Sequence, residues 1–214
     1  MKSFLIIGMG SLGHHLCNEL SKNGCEIMAA DKNAEKMEDI TSMVVSAKVC
    51  DCTKIDVLKS FGVEEFDACF VCIEDYFQAC LEITDLLKEL GAKKVYSAAN
   101  RDIEEKFLLR NGADRVIYPE RDVASRIAGL ESAENIFDCI NLSADYSIFE
   151  IEPLDKWIGK TVMELDFRNR YKLNIVAVKK DGRVIPFFRP DYAFSKAEHL
   201  LVLGHTGDVR RILK

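Results

Sequence analysis

Three glycines and one acid are the residues of this chain best spaced for chemistry: Gly8, Gly10 and Gly13 in the run Gly8-Met9-Gly10-Ser11-Leu12-Gly13, then Asp31. The chemistry they support is recognition of a phosphorylated nucleoside by backbone. Gly8 allows a tight turn, Gly10 leaves room for a pyrophosphate to approach the main chain, and Gly13 lets the following helix lie close to the preceding strand. The free N–H groups of that helix's first turn then face the phosphates. An acid about 20 residues further on accepts hydrogen bonds from ribose hydroxyls. A carboxylate there repels a 2′-phosphate, so the pattern points to NAD(H), ATP, ADP or AMP in preference to NADP. The competing reading of Asp31 is a cap on the next helix.

A glycine motif carries weight only when a strand precedes it and a helix follows. Both are expected here. Phe4-Leu5-Ile6-Ile7 is an uninterrupted apolar run, as in a strand covered on both faces, and a helical pattern runs from Leu12 to about Asn23. Cys25 to Ala30 reads as a second strand ending at Asp31, and Asn33 to Ile40 as a helix capped by Asn33. Ser46 to Cys50 is a third strand, followed by a helix through Val57, Leu58 and Phe61 that Thr53 or Asp56 could cap. Asp67 to Ile73 is a fourth, with Glu74-Asp75 at its exit. Tyr76 to Leu90 carries an apolar stripe at helical spacing, and Lys94 to Ala98, Asp102 to Arg110 and Arg115 to Tyr118 continue the alternation. Six strands alternating with helices predict a doubly wound parallel α/β sheet in the order 3-2-1-4-5-6, with a ligand crevice at the carboxyl ends of strands one and four. Asp51, Ile73, Glu74, Asp75, Ala98, Ala99 and Glu120 fall at strand ends and join the glycines as candidates. A helix is expected from Glu120 to about Ile140. Beyond it lies a small α+β module: strand Tyr146 to Ile151, a short helix within Trp157 to Leu165, a hairpin of Asn174–Lys180 and Arg183–Phe187 around Asp181-Gly182, a last strand Leu200 to Gly204, and a final helix capped by Thr206. The expected domains are 1–139 and 140–214.

Composition narrows the function classes. The chain has 214 residues, is 48% hydrophobic and 30% charged, and carries a net charge of −6. No apolar run approaches the roughly 18 residues that cross a bilayer, and MKSFLIIG meets glycines before a signal-peptide core could form. A cytoplasmic protein without direct membrane insertion is expected. The acidic balance of residues 1–139, 16 Lys and Arg against 25 Asp and Glu, is unlike a nucleic-acid-binding surface. All eight cysteines lie in that part. Cys50-x-Cys52 with Cys69-x-x-Cys72 resembles a zinc set, but strand residues three apart point to opposite faces, so no metal site is expected. A dehydrogenase needs an acid or base beside the nicotinamide, and neither His14 and His15 nor His199 and His205 are placed to serve. No catalytic residue is assigned.

The order GMGSLG, Asp31, the strand–helix series, the run Asn111-Gly112-Ala113-Asp114-Arg115-Val116-Ile117-Tyr118-Pro119-Glu120-Arg121-Asp122 and the closing Gly204-His205 resemble the RCK/KTN family, the cytoplasmic regulators of potassium channels and transporters, with most likeness to KtrA/TrkA-type subunits. The resemblance implies a non-enzymatic gate. Homodimers assemble into a ring, bound adenine nucleotide alters the dimer, and the motion passes to a membrane-embedded potassium transporter subunit. By the same likeness Gly8 through Gly13 (Met9, Gly10, Ser11 and Leu12 included) cradle phosphates, Asp31 and Lys32 serve the ribose, and Asp51, Cys52, Ile73 and Glu74 the adenosine end. Glu120 would sit near the phosphates across the dimer through a cation. Arg168, Asn174 and Ile175 match the region of the C-terminal module that binds cyclic di-AMP in some relatives. Ser11 and Ala98 stand where many relatives carry cations, which removes positive charge near the phosphates. The rival readings are a stand-alone nucleotide or redox sensor, with Cys52 and Cys72 near the crevice, and an NAD-dependent oxidoreductase.

Overall fold

A computed structural model describes residues 1–131, 135–143, 145–186 and 188–213. Two compact units follow one another, Met1–Glu120 and Arg121–Lys214. The sequence expectation had placed the division at 139/140.

In the first unit the elements alternate: β1 (Ser3–Ile7), α1 (Ser11–Lys22), β2 (Glu26–Asp31), α2 (Glu35–Glu38), β3 (Ser46–Val49), α3 (Ile55–Lys59), β4 (Ala68–Val71), α4 (Phe77–Glu89), β5 (Val95–Ala98), α5 (Asp102–Arg110) and β6 (Arg115–Ile117). The six strands form a parallel sheet in the order β3-β2-β1-β4-β5-β6, as the alternation predicts. The reason β1 reads as an unbroken apolar run is visible in its packing. Leu5 and Ile7 bury into a core with Cys69, Val71, Leu87 and Leu108, while Ile6 buries into another with Ile27, Ala29, Cys17 and Cys72. Both faces of the strand are covered, so alternation disappears. The same parity sends Cys69 and Cys72 to different cores, which is the geometry argued against a shared metal.

Local signals misjudged several ends. Asn33 Oδ1 accepts the Glu35 N–H at 2.9 Å, but Ala34 occupies the cap position of a short α2. Neither Thr53 nor Asp56 caps α3; Lys54 holds that place without a side-chain bond.

The second unit is built on an antiparallel sheet. Its elements are α6 (Pro119–Glu131, beginning just before the division), β7 (Ile136–Asn141), β8 (Tyr146–Ile151), α7 (Val162–Leu165), α8 (Phe167–Tyr171), β9 (Asn174–Lys180), β10 (Arg183–Ile185), β11 (Glu198–His205) and α9 (Thr206–Ile212), with sheet order β10-β9-β11-β8-β7. Here the expected helix to Ile140 is wrong. Its described part runs to Glu131, and β7 pairs antiparallel to β8 with Ile140 opposite Ile148. Residues 132–134 and Phe187, which the sequence placed in that helix and in the hairpin, lie outside the described residues. The apolar positions of 136–140 fit either period, and pairing with β8 decided between them. Helix α8 was not foreseen at all. The Asp181-Gly182 turn is as expected, with φ of 48° and 75°, both left-handed as a two-residue hairpin requires. α9 is capped by His205, whose Nδ1 accepts the Gly207 N–H at 3.1 Å, and not by Thr206. Trp157 anchors the core, fully buried between Phe167 and Tyr171 in edge-to-face contacts, with its Nε1–H donating to the Tyr171 hydroxyl at 2.9 Å. A polar cluster lies across the middle strands: buried Glu150 accepts from Lys179 Nζ at 2.8 Å and pairs with His199 Nδ1 at 2.6 Å.

Candidate functional site

The site grows out of the turn that follows β1. Gly8 has φ 94°, its N–H donates to the Ala30 carbonyl at 2.8 Å, and a Cβ there would lie 2.7 Å from the Cys72 carbonyl oxygen. The turn is thus threaded between β2 and β4, with no room for a side chain. At Gly13 a Cβ would meet the Gly8 carbonyl at 2.0 Å, which is why α1 starts so close to the strand. Gly10 differs. Its nearest neighbours to an added Cβ are ordinary contacts at 3.8 and 3.9 Å, and its open side lines a crevice.

That crevice has a volume of about 530 Å³, within the range of small-molecule sites. It opens at the carboxyl ends of β1, β2, β3 and β4. Of the candidates, Gly8, Gly10, Asp31, Lys32, Asp51, Cys52, Ile73 and Glu74 line it. Met9, Ser11, Leu12 and Gly13 build the loop behind: the Met9 side chain is buried, with Cys17 Sγ at 3.8 Å from its sulfur, and Ser11 opens α1. Lys36, Thr53, Asp75, Tyr76 and Glu82 also line the crevice. Lys36 and Tyr76 had no motif to single them out. They arrive because α2 and the β4–α4 loop face the same opening.

Asp31 holds the loop together. Its Oδ2 accepts the Met9 N–H at 2.6 Å and its Oδ1 accepts the Asn33 N–H at 2.8 Å. It is therefore tied to the glycine loop and to the turn before α2 at once, and each oxygen keeps a lone pair for a further donor. Asp51 closes a turn of its own, Oδ1 accepting from Thr53 N–H at 3.0 Å and Thr53 Oγ1 at 2.6 Å, and these bonds hold its pKa below the ordinary carboxylate value. Cys50 and Cys52 sulfurs lie 4.0 Å apart. Burial pushes both thiols above the usual value, Cys52 strongly, so they favour the unreactive protonated form. Glu74 leaves β4 with its carbonyl accepting from Asn100 Nδ2 at 2.6 Å, and its carboxylate lies beside the glycine loop, Oε2 standing 3.9 Å from where a Cβ on Gly10 would be. Burial, then the charges of Glu120 and Asp75, raise its pKa. Glu120 is not among the crevice-lining residues and reaches the site through this field. In the second unit Arg168 and Asn174 meet directly, Nε to Oδ1 at 2.7 Å, while neighbouring Ile175 packs against the core of the sheet.

This geometry can bind an adenosine-sized ligand with backbone at one end and carboxylates along its length. Comparison with known proteins fits that arrangement. The TrkA-N domain model matches residues 4–119 and the TrkA-C domain model residues 146–214. The chain belongs to the TrkA-N/TrkA-C family. Its TrkA-N domain is the unit with the crevice, and its TrkA-C domain carries most of the antiparallel sheet. Among its relatives, the Ktr system potassium uptake protein C of Bacillus subtilis is 36% identical over 213 residues, covering 100% of this chain and 96% of its own length. The Ktr system potassium uptake protein A of the same organism is 34% identical, covering 98% and 95%. The solved structure "GsuK channel bound to NAD" shares the fold with a TM-score of 0.68 at 16% identity, over 97% of this chain and 38% of that one.

Proposed function

We propose that this chain is the cytoplasmic regulatory subunit of a potassium uptake system, a non-enzymatic gate that reads the adenine nucleotide pool. The single observation that carries the reading is the crevice at the ends of β1 and β4, where the glycine loop and Asp31 converge on one adenosine-sized space. End-to-end similarity to Ktr uptake proteins supports the transport role, and the fold shared with an NAD-bound channel supports the ligand class. Among the described residues no helix is long and apolar enough to cross a membrane, so the pore belongs to a partner.

Assembly of copies into a ring is part of the same reading. α5 exposes Ile103, Phe107 and Leu109, and α6 exposes Val123 and Ile127, apolar side chains of the kind that mark protein contacts. Ligand binding would move the pore only by as much as the nucleotide prefers one arrangement of the copies. Arg168, Asn174 and Ile175 form the place at which cyclic di-AMP would be read.

The experiment is a thermal-shift panel of the purified chain with ATP, ADP, AMP, NAD⁺, NADH, NADP⁺ and cyclic di-AMP, with light scattering for mass and a co-purification assay for a membrane potassium transporter. Stabilisation by adenine nucleotides, a mass above the monomer and capture of a membrane potassium transporter are expected. No shift with any nucleotide would remove the sensing role.

A further inference from the structure

At the N-terminus of α1, where a ligand phosphate would meet main-chain N–H groups, the chain has placed a carboxylate of its own. Gly10 is the residue that precedes the first turn of α1, and a Cβ on it would stand 3.9 Å from Glu74 Oε2. The backbone of Glu74 is held where it leaves β4 by the Asn100 side chain, which donates to its carbonyl at 2.6 Å. We propose that Glu74 is the specificity-determining residue of the crevice, a built-in competitor for the phosphate position that selects adenine ligands of low phosphate charge over triphosphates. The inference rests on the nucleotide reading of the crevice and says which members of that class it takes.

The charges around Glu74 argue the same way. Asp75 flanks it on its own loop, Glu120 faces it from the start of α6, and Lys36 from α2. Along the crevice stand Asp31 and Lys32 at the end of β2, Asp51 after β3 and Glu82 on α4. Two lysines face a larger number of carboxylates, and Ser11 brings no cation to the first turn of α1. Each further phosphate adds like charge to this field at close range, where repulsion is strong. A phosphate group enters either by pushing the Glu74 carboxylate aside or with Glu74 protonated. The second route is eased because burial and the neighbouring acids make Glu74 hold a proton at higher pH than an ordinary glutamate.

The test is isothermal titration of the full chain and of Glu74→Gln, which keeps the size of the side chain and loses the charge, with adenosine, NAD⁺, ADP and ATP. Glu74→Gln is expected to bind ATP at least about tenfold tighter than the unmodified chain and adenosine equally well. A second measurement needs no variant: the ratio of NAD⁺ to adenosine affinity, for a pyrophosphate that does not itself titrate, rises as pH falls from neutral toward the ordinary glutamate value of about 4.3, with the rise beginning above that value because the Glu74 pKa is raised. Equal or weaker ATP binding by the variant, or the same gain for adenosine and ATP, would overturn the proposal, as would a flat ratio with pH. If no adenine ligand binds either protein, the nucleotide reading itself falls, a result distinct from binding that is indifferent to Glu74.

Discussion

Gly8, Gly10 and Gly13 look alike in the sequence and do different things in the structure. Gly13 is glycine because the Gly8 carbonyl oxygen would stand 2.0 Å from its Cβ, whereas nothing closer than 3.8 Å meets a Cβ on Gly10. Gly13→Ala should therefore destabilise the chain by about 3 kcal/mol in urea unfolding, since backbone has to move. Gly10→Ala should unfold within about 1 kcal/mol of the unmodified chain. It should nevertheless reduce the thermal shift given by nucleotide, because its methyl enters the crevice. Asp31 shows a similar division of labour. Each of its two oxygens accepts one N–H, from Met9 and from Asn33, and keeps a lone pair toward the crevice, so Asp31→Ala should cost both stability, about 2 kcal/mol for two charge-assisted bonds, and nucleotide affinity. The two losses separate in titrations run well below the unfolding temperature.

At the scale of elements, the second sheet is held by an apolar face and by the buried acid Glu150. Glu150 on β8 bonds to Lys179 on β9 and His199 on β11, so a single side chain ties its strand to two others. Burial alone would raise the Glu150 pKa. The bonds to Lys179 and His199 outweigh it, and the folded value lies below that of an ordinary glutamate. Its contribution is accordingly present above the unfolded pKa of about 4.3 and is lost as pH falls through the lower folded value. Glu150→Gln should cost about 2 kcal/mol at neutral pH, tempered by the partial exposure of Lys179. Denaturation at a series of pH values should show the gap between variant and unmodified chain closing below about pH 4. The capping box at α7, Thr161 with Glu164, is a smaller device: Thr161→Ala should cost about 1 kcal/mol in the same measurement.

For the molecule as a whole, the proposed sensing role and the proposed assembly of copies make separate predictions, the second resting on the exposed apolar side chains of α5. Ile103 is 50% exposed at the start of α5, so Ile103→Asp should leave folding intact and shift the mass seen by light scattering toward the monomer. Nucleotide-induced stabilisation should survive in that variant, because Ile103 is not among the crevice-lining residues. Asp31 predicts a further preference readable on the whole protein: NAD⁺ should stabilise it more than NADP⁺, whose 2′-phosphate meets a carboxylate.

What the sequence determined by itself was whatever depends on neighbours in the chain. Phe4-Leu5-Ile6-Ile7 and the glycines announced β1, its turn and α1, the alternation of strands and helices announced the doubly wound order, and Asp181-Gly182 announced the hairpin. Turn chemistry, periodicity and glycine spacing are local, so one sequence suffices to read them. The tertiary structure decided whatever depends on partners far away. Ile136 to Ile140 became β7 because β8 offered an edge, His205 and not Thr206 reached the Gly207 N–H, and Lys36 and Tyr76 came to the crevice on elements with no motif of their own. Above all, the approach of the Glu74 carboxylate to the glycine loop is made by strand order: β4 lies beside β1, so the residue leaving one arrives at the loop leaving the other. The sequence placed both at strand ends, and only packing put a carboxylate where a phosphate would go.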